Sequence, residues 1–312
     1  MAAIYDEDSG SEQYETAIFF HTINLKLIRL LRDRFTVVYL CMMKQKKIIA
    51  TLKWIIIIYC GAGIILYSLQ EKILLHPKPL DHNHEFNFNQ SFEEVNIPFS
   101  KTDTVNMIRF TVTDSIKKGL VIYFHGNKDN VEHYAGFAAS FTKYGYEVWM
   151  PDYPGFGKST GAISEDKLYR IAYEIRKMAE KKYPPDSVII YGKSLGTAIA
   201  AYTASVKPCR QLILETPYYS IPSLFRSYAF MYPTRMMSKY KLPTYEFLQD
   251  VQAPVTIFHG TGDWVVPYRS GVKLKRFLKP GDRFVKIENG SHNNLGESPV
   301  YKRTLDSLLA RP

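Results

Sequence analysis

The feature that most restricts how this chain can fold is a series of short apolar runs, each closed by polar or turn-forming residues. They are GLVIYFHG (119–126), YEVWMPD (146–152), SVIIYGKS (187–194), QLILETP (211–217) and PVTIFHG (254–260). None alternates polar with apolar, so both faces of each must be buried, which is the condition of the inner strands of a parallel sheet. Segments VNIPF (95–99) and VNMIRFTV (105–112) do alternate and predict strands with one exposed face. A last strand is expected at DRFVKIE (282–288), followed by a helix from about 297 to 309. Between the runs lie helical patterns. Ser164 is placed to cap a helix with Glu165 and Asp166 in its first turn, and Leu168, Ile171, Ala172, Ile175, Met178 and Ala179 then recur at helical spacing until Pro184-Pro185. Strand and helix alternating in this way predict an α/β domain with a mostly parallel eight-stranded sheet and helices on both faces.

A different kind of segment stands in front of this domain. Residues 54–69, WIIIIYCGAGIILYSL, contain no charge, and the apolar character reaches back to Ile48 with only Lys53 interrupting. A span over 48–69 is long enough to cross the hydrocarbon layer, with the Lys53 ammonium extended to the headgroups. Lys44, Lys46, Lys47 and Lys53 precede or open it, against Lys72 and Lys78 after it, which predicts a cytoplasmic N-terminus and a C-terminal domain on the extracytoplasmic side. A cleaved signal is disfavoured because the apolar run continues past Gly61-Ala62-Gly63, and a lipoprotein signal because Tyr59 precedes Cys60. A core helix is disfavoured by four successive isoleucines beside a lysine cluster. Within residues 1–41 an acidic stretch is followed by NLKLIRLLRDRFTVVYL, read as an amphipathic membrane-surface helix. Met42 is an alternative start that would make part of this segment an extension. The expected organisation is therefore a cytoplasmic segment (1–47), a transmembrane helix (48–69), a linker (70–90), and an α/β domain (91–312) with a small cap at 217–253.

The motif G-x-S-x-G, a signature of nucleophilic serines, occurs twice, as Gly157-Lys158-Ser159-Thr160-Gly161 and Gly192-Lys193-Ser194-Leu195-Gly196. A nucleophile elbow needs a buried strand before the serine and a helix directly after it. Ser194 has both, with Val188-Ile189-Ile190-Tyr191 before and Thr197-Ala198-Ile199-Ala200-Ala201-Tyr202 after, whereas Ser159 sits in a turn-rich loop and is read as a coincidence. A phosphate-binding loop would need glycine five positions ahead of Gly-Lys, where this chain has Asp152 and Ser187.

A serine hydroxyl needs a base, and the base an orienting carboxylate. Only His292 follows residue 259 among the histidines, in the loop Gly290-Ser291-His292-Asn293-Asn294 between the last strand and last helix. Asp263 follows directly on the buried strand ending at His259, which places its carboxylate at the same sheet edge as Ser194. Ser194, Asp263 and His292 are thus the expected catalytic residues, in the chain order serine, acid, histidine. The N–H of Leu195, and that of Asn127 after strand 119–126, are the expected oxyanion donors. His125 and His259 stand in the wrong order for a base and are read as structural or pocket-lining. This chemistry calls for no cofactor and no metal.

These residues resemble a known family. His125-Gly126-Asn127, Pro151-Asp152-Tyr153-Pro154-Gly155-Phe156-Gly157-Lys158-Ser159, Gly192 to Gly196, His259-Gly260-Thr261-Gly262-Asp263 and Ser291-His292 are similar to the membrane-anchored α/β-hydrolases related to the yeast bud-emergence suppressor, and to the serine aminopeptidase-like hydrolases. The resemblance covers about residues 70–312 and includes the anchor. It implies the same triad and an esterase or thioesterase activity, some relatives acting on acylated proteins. Two departures stand out: the chain before Met42 has no counterpart, and Pro154 replaces an arginine common in such loops.

The expected function is cleavage of an acyl ester or thioester, on a small molecule or an acylated protein, with membrane lipid held through the anchor. The segment 217–253 carries nine aromatics and a cationic excess, suited to an acyl group on a larger or anionic carrier. A peptidase of the same fold would need a carboxylate for the substrate amine, for which Asp152 and Glu215 are the candidates. A catalytically silent scaffold is the alternative of another class. The formal charge of +10 suits an anionic partner, but the lysines are spread along the domain and no motif supports nucleic acid. Cys41, Cys60 and Cys209 are too few for a disulfide framework.

Overall fold

The computed structural model describes residues 8–310 apart from 114 and 116, and the chain divides into two compact units, residues 1–66 and 67–312. In the first unit one element dominates: helix α1 (Asp8–Leu74), whose last turns enter the second unit. No glycine or proline interrupts the sequence from 11 to 60, so nothing stops the helix once begun. Its 67 residues span about 100 Å, roughly three times the hydrocarbon thickness of a bilayer. Residues 8–47 of the expected N-terminal segment and the expected span 48–69 lie on one continuous helix, and residues 1–7 lie outside the described residues. Within Glu15–Leu74 a stretch of mean hydropathy 2.1 is long and apolar enough to cross a membrane by length and composition. Its large side chains, Trp54, Ile58 and Ile64 among them, are exposed.

The second unit is built on a sheet in the order β10-β9-β8-β7-β4-β6-β3-β2. The strands are β1 (His76–Pro77), β2 (Phe92–Pro98), β3 (Thr104–Phe110), β4 (Gly119–Phe124), β5 (Lys128–Asp129), β6 (Tyr146–Pro151), β7 (Val188–Lys193), β8 (Gln211–Glu215), β9 (Val255–Gly260) and β10 (Arg283–Ile287). The short β1 and β5 pair apart from the main sheet. Strands β4 and β6 to β10 run parallel, while β3 is antiparallel to both β6 and β2. The continuous apolar runs have become β4, β6, β7, β8 and β9, buried along their whole length. The alternating runs are the antiparallel pair β2 and β3 at one edge.

The remaining helices are α2 (Val131–Tyr134), α3 (Ala139–Thr142), α4 (Glu165–Glu180), α5 (Gly196–Val206), α6 (Ile221–Arg226), α7 (Thr234–Met237), α8 (Thr244–Asp250), α9 (Tyr268–Val272) and α10 (Pro299–Ala310). The Ser164 side chain caps α4 by accepting from the Lys167 N–H. Two cores flank the sheet. One joins Leu120, Ile122, Ile190 and Leu212 to Leu168, Ile171 and Ile175 of α4 and Ile199 of α5; the other joins Val121, Tyr123, Ile189 and Ile213 to Val131, Phe141, Leu305 and Leu309. Alternate residues of one strand point to opposite faces, which is why each buried strand contributes to both.

The expected linker 70–90 is packed on the domain. Gln70 accepts from the Lys239 N–H at 2.6 Å and donates to the Met237 carbonyl at 3.1 Å, β1 pairs with β5, and Leu74, Leu75 and Phe86 are buried. The cap region 217–253 consists of α6, α7 and α8 with connecting turns.

Candidate active site

The end of β7 is the pivot of the site. Its hydrogen-bonded neighbours are β4 and β8, so the serine that follows emerges near the middle of the sheet edge. Ser194 has φ +50°, a conformation uncommon outside glycine, and sits between β7 and the first turn of α5. The two motif glycines explain how so sharp a turn fits. A Cβ on Gly192 would lie 2.5 Å from the Gly196 carbonyl oxygen, and a Cβ on Gly196 would lie 2.1 Å from that of Phe124. Any side chain at either position would push α5 away from β4 and β7.

The carboxylate and imidazole arrive on the two neighbouring loops. Asp263 follows β9, where its Oδ1 accepts from the N–H groups of Val265 (2.9 Å) and Val266 (2.8 Å), which fixes the carboxylate. His292 follows β10. The two loops touch through bare backbone: a Cβ on Gly260 would be 2.1 Å from the Gly290 oxygen, and the Gly262 N–H donates to that same oxygen at 3.0 Å. This contact brings His292 Nδ1 to 2.8 Å from Asp263 Oδ2 and His292 Nε2 to 2.9 Å from Ser194 Oγ. All three side chains are buried from solvent. The arrangement can move a proton off the hydroxyl while the carboxylate holds the ring.

Leu195 begins the first turn after the serine, and Asn127 lies in the loop after β4. Neither N–H is taken by an intramolecular acceptor among the described residues. The rest of Asn127 is occupied: its carbonyl accepts from the His76 N–H at 2.8 Å and its side chain donates to the Leu74 carbonyl at 2.6 Å. Gly126 faces the serine, since a Cβ there would be 3.7 Å from Ser194 Cβ and 2.7 Å from the Tyr134 hydroxyl. Burial raises the pKa of that hydroxyl, and backbone N–H groups of Lys128 and Gly126 oppose the shift, so Tyr134 braces the loop.

Ser159 has a different surrounding. Its hydroxyl donates to the Asp152 carbonyl at 2.8 Å and accepts from the Asn106 N–H at 2.8 Å, which ties the loop after β6 to β3. The second motif match is a structural turn with glycines at φ +50° and +91°.

His125 and His259 are both fully buried. His125 Nε2 lies 3.1 Å from Asp152 Oδ1, which also accepts from the Val131 N–H; burial raises the Asp152 pKa and His125 opposes it. His259 Nε2 bonds the Val266 carbonyl at 2.9 Å, and burial lowers its pKa. Each therefore supports a loop of the site from behind.

Sequence reasoning passed over a buried polar cluster beneath the serine. Lys193 pairs with Glu215, which also accepts from the hydroxyls of Tyr191 and Tyr301. Burial raises the Glu215 pKa, but the Lys193 charge and these hydrogen bonds outweigh it and the net shift is downward. The signal was a lysine in a fully buried strand, a position that demands a partner.

The strand order and the sharp turn after β7 are those of the α/β-hydrolase fold. Residues 115–247 match the Hydrolase_4 family model, described as serine aminopeptidase, S33. Among curated relatives, α/β-hydrolase domain-containing protein 17C of Xenopus tropicalis is 26% identical over 198 residues, which is 61% of this chain and 61% of that protein. Among solved structures, the Pyrococcus furiosus esterase Pf2001 has a TM-score of 0.59 at 16% identity, covering 76% of this chain and 96% of that one. Est1E of Butyrivibrio proteoclasticus, solved with ferulic acid bound, has a TM-score of 0.55 at 18% identity, covering 68% of this chain and 98% of that one. At these identities the two structures show the shared fold.

Proposed function

We propose that this chain is a membrane-anchored serine hydrolase that cleaves an acyl ester or thioester through Ser194, His292 and Asp263. The observation that carries the reading is His292, whose two ring nitrogens reach Asp263 and Ser194 at 2.8 and 2.9 Å. As Ser194 Oγ bonds to the acyl carbon, its proton passes to His292 Nε2 and the negative charge gathers on the carbonyl oxygen. The N–H groups of Leu195 and Asn127 receive that charge, each contributing on the order of 3 kcal/mol. Collapse expels the alcohol or thiol, which takes the proton from His292 and leaves the acyl group on Ser194. Water, deprotonated by His292, then releases the carboxylic acid and restores the serine. Neither a metal nor a cofactor enters these steps.

The substrate is a small acyl ester or an acylated protein, and nucleic acid is not a partner. The apolar stretch of α1 holds the protein in lipid as a single pass. Its N-terminus is cytoplasmic and the domain lies on the other side, as the lysines from 44 to 53 favour. The family description favours a peptidase as the second reading, but Asp152 and Glu215 are both paired internally, which leaves neither to hold a substrate amine. Turnover of short p-nitrophenyl esters tests the proposal. The expected result is measurable hydrolysis that falls by about 10⁶-fold in Ser194→Ala. An unchanged rate in that variant would overturn it.

A further inference from the structure

The most exposed large apolar side chains of the second unit stand at two adjoining places. Phe230 is 75% exposed, Met236 83% and Trp264 88%. Tyr228, also exposed, joins them: its hydroxyl donates to the carbonyls of Trp264 (2.7 Å) and Val265 (3.1 Å), so the cap touches the loop that carries Asp263. The result is an apolar patch running from the cap to the acid loop of the triad. Clusters of this kind on a folded domain mark an interaction surface.

Three observations favour a lipid bilayer as its occupant. Gln70, which follows directly on the apolar run, is bonded to Met237, next to Met236, and to Lys239. The same end of the patch is thus tied to the residue that directly follows the uncharged apolar run. Second, residues 221–241 carry four cations, Arg226, Arg235, Lys239 (3.7 Å from Glu71) and Lys241, and no carboxylate, which suits the phosphates of lipid headgroups. That charge would oppose a second copy seated face to face. Third, the exposed side chains are phenylalanine, methionine, tyrosine and tryptophan, residues that settle at the boundary of headgroups and acyl chains.

We infer that the cap and the Asp263 loop dock onto the bilayer surface through Phe230, Met236 and Trp264, so that an acyl chain enters the site from the membrane. The docking rests on the anchor of the proposed function but not on its chemistry. Arg226 and Arg235 hold the surface against the headgroups while the apolar side chains enter the boundary layer; Lys239 pairs with Glu71 and the Lys241 ammonium donates to the carbonyls of Arg235 and Ser238.

The test uses the full chain in vesicles of phosphatidylcholine and phosphatidylserine with brominated acyl chains. Trp54→Phe removes the tryptophan of the apolar helix, and the buried Trp149 serves as an unquenched reference. The Trp264 emission should fall roughly twofold on reconstitution, as for a side chain at the acyl boundary, and equally in Ser194→Ala. Phe230→Asp with Met236→Asp should abolish the quenching and raise KM for a long-chain ester in the bilayer, with turnover of a soluble short ester unchanged. Trp264 emission that is unquenched in protein co-floating with vesicles would overturn the docking. Quenching indifferent to the paired aspartates would do the same, and so would failure to co-float, which overturns the anchor as well. Quenching without hydrolysis would leave the docking standing and sink only the chemistry.

Discussion

The Lys193 ammonium is buried against the Glu215 carboxylate one residue ahead of Ser194, on neighbouring strands β7 and β8. Two charges withdrawn from water there are tolerable because each neutralises the other and the tyrosine hydroxyls fill the remaining valences of Glu215. Removing one partner strands the other. Lys193→Met should lower unfolding free energy by about 3 to 5 kcal/mol, and the double variant Lys193→Met/Glu215→Met should recover part of that loss. Denaturant titration of the three proteins measures both.

A motif glycine and the glycine at 136, in the short helical turn Ala135–Ala138, differ sharply in what they tolerate. Gly196→Ala places a methyl 2.1 Å from the Phe124 oxygen, so α5 must move and the serine with it; loss of folded protein, or of more than about 3 kcal/mol, is expected. Gly136→Ala meets nothing within 4 Å and should change stability by under about 0.5 kcal/mol. Thermal unfolding of the pair reads the contrast.

The two motif serines should separate stability from activity. Ser159→Ala leaves the Asn106 N–H without its acceptor and should cost about 1 to 3 kcal/mol while ester turnover per folded molecule persists. Ser194→Ala should do the reverse, with stability within about 1 kcal/mol of the parent and turnover lost. A turnover loss in Ser159→Ala at full folding would contradict the assignment.

Acid should weaken the fold partly through His259, whose pKa burial lowers from 6.5. Above that value the ring is neutral in both states. Below it the unfolded chain binds a proton that the folded chain refuses, so stability falls with pH until the folded ring also titrates. His259→Gln removes this component and should shrink the stability difference between about pH 6.5 and about pH 5.5 by up to about 1.4 kcal/mol. Denaturant midpoints at both pH values decide it.

Much of the sheet was legible because burial on both faces forces a strand to be apolar at every position, as in Val121, Ile122, Ile189 and Ile190. The triad residues could be named because a strand end fixes where Ser194 and Asp263 must stand and chain order leaves one histidine. What escaped reading depends on contacts distant in sequence. Nothing near Gln70 reveals that Met237 and Lys239 bind it, although Leu74, Leu75 and Phe86 were apolar signs within a polar stretch. The continuity of α1 did have a local signal, the lack of any breaker from 11 to 60, which the change from amphipathic to uniformly apolar sequence obscured. The short helices α2 and α3 are held by tertiary packing of Val131, Tyr134 and Phe141 rather than by a periodic pattern.

The central claim is that Ser194 is the nucleophile, and a fluorophosphonate tests it most directly because it bonds only to a serine activated by its neighbours. Peptide mapping by mass spectrometry after labelling of the full chain should find the adduct on Ser194, and the labelling rate should collapse in His292→Ala. A chain that takes no label, or takes it on Ser159 or any residue other than Ser194, would contradict the account.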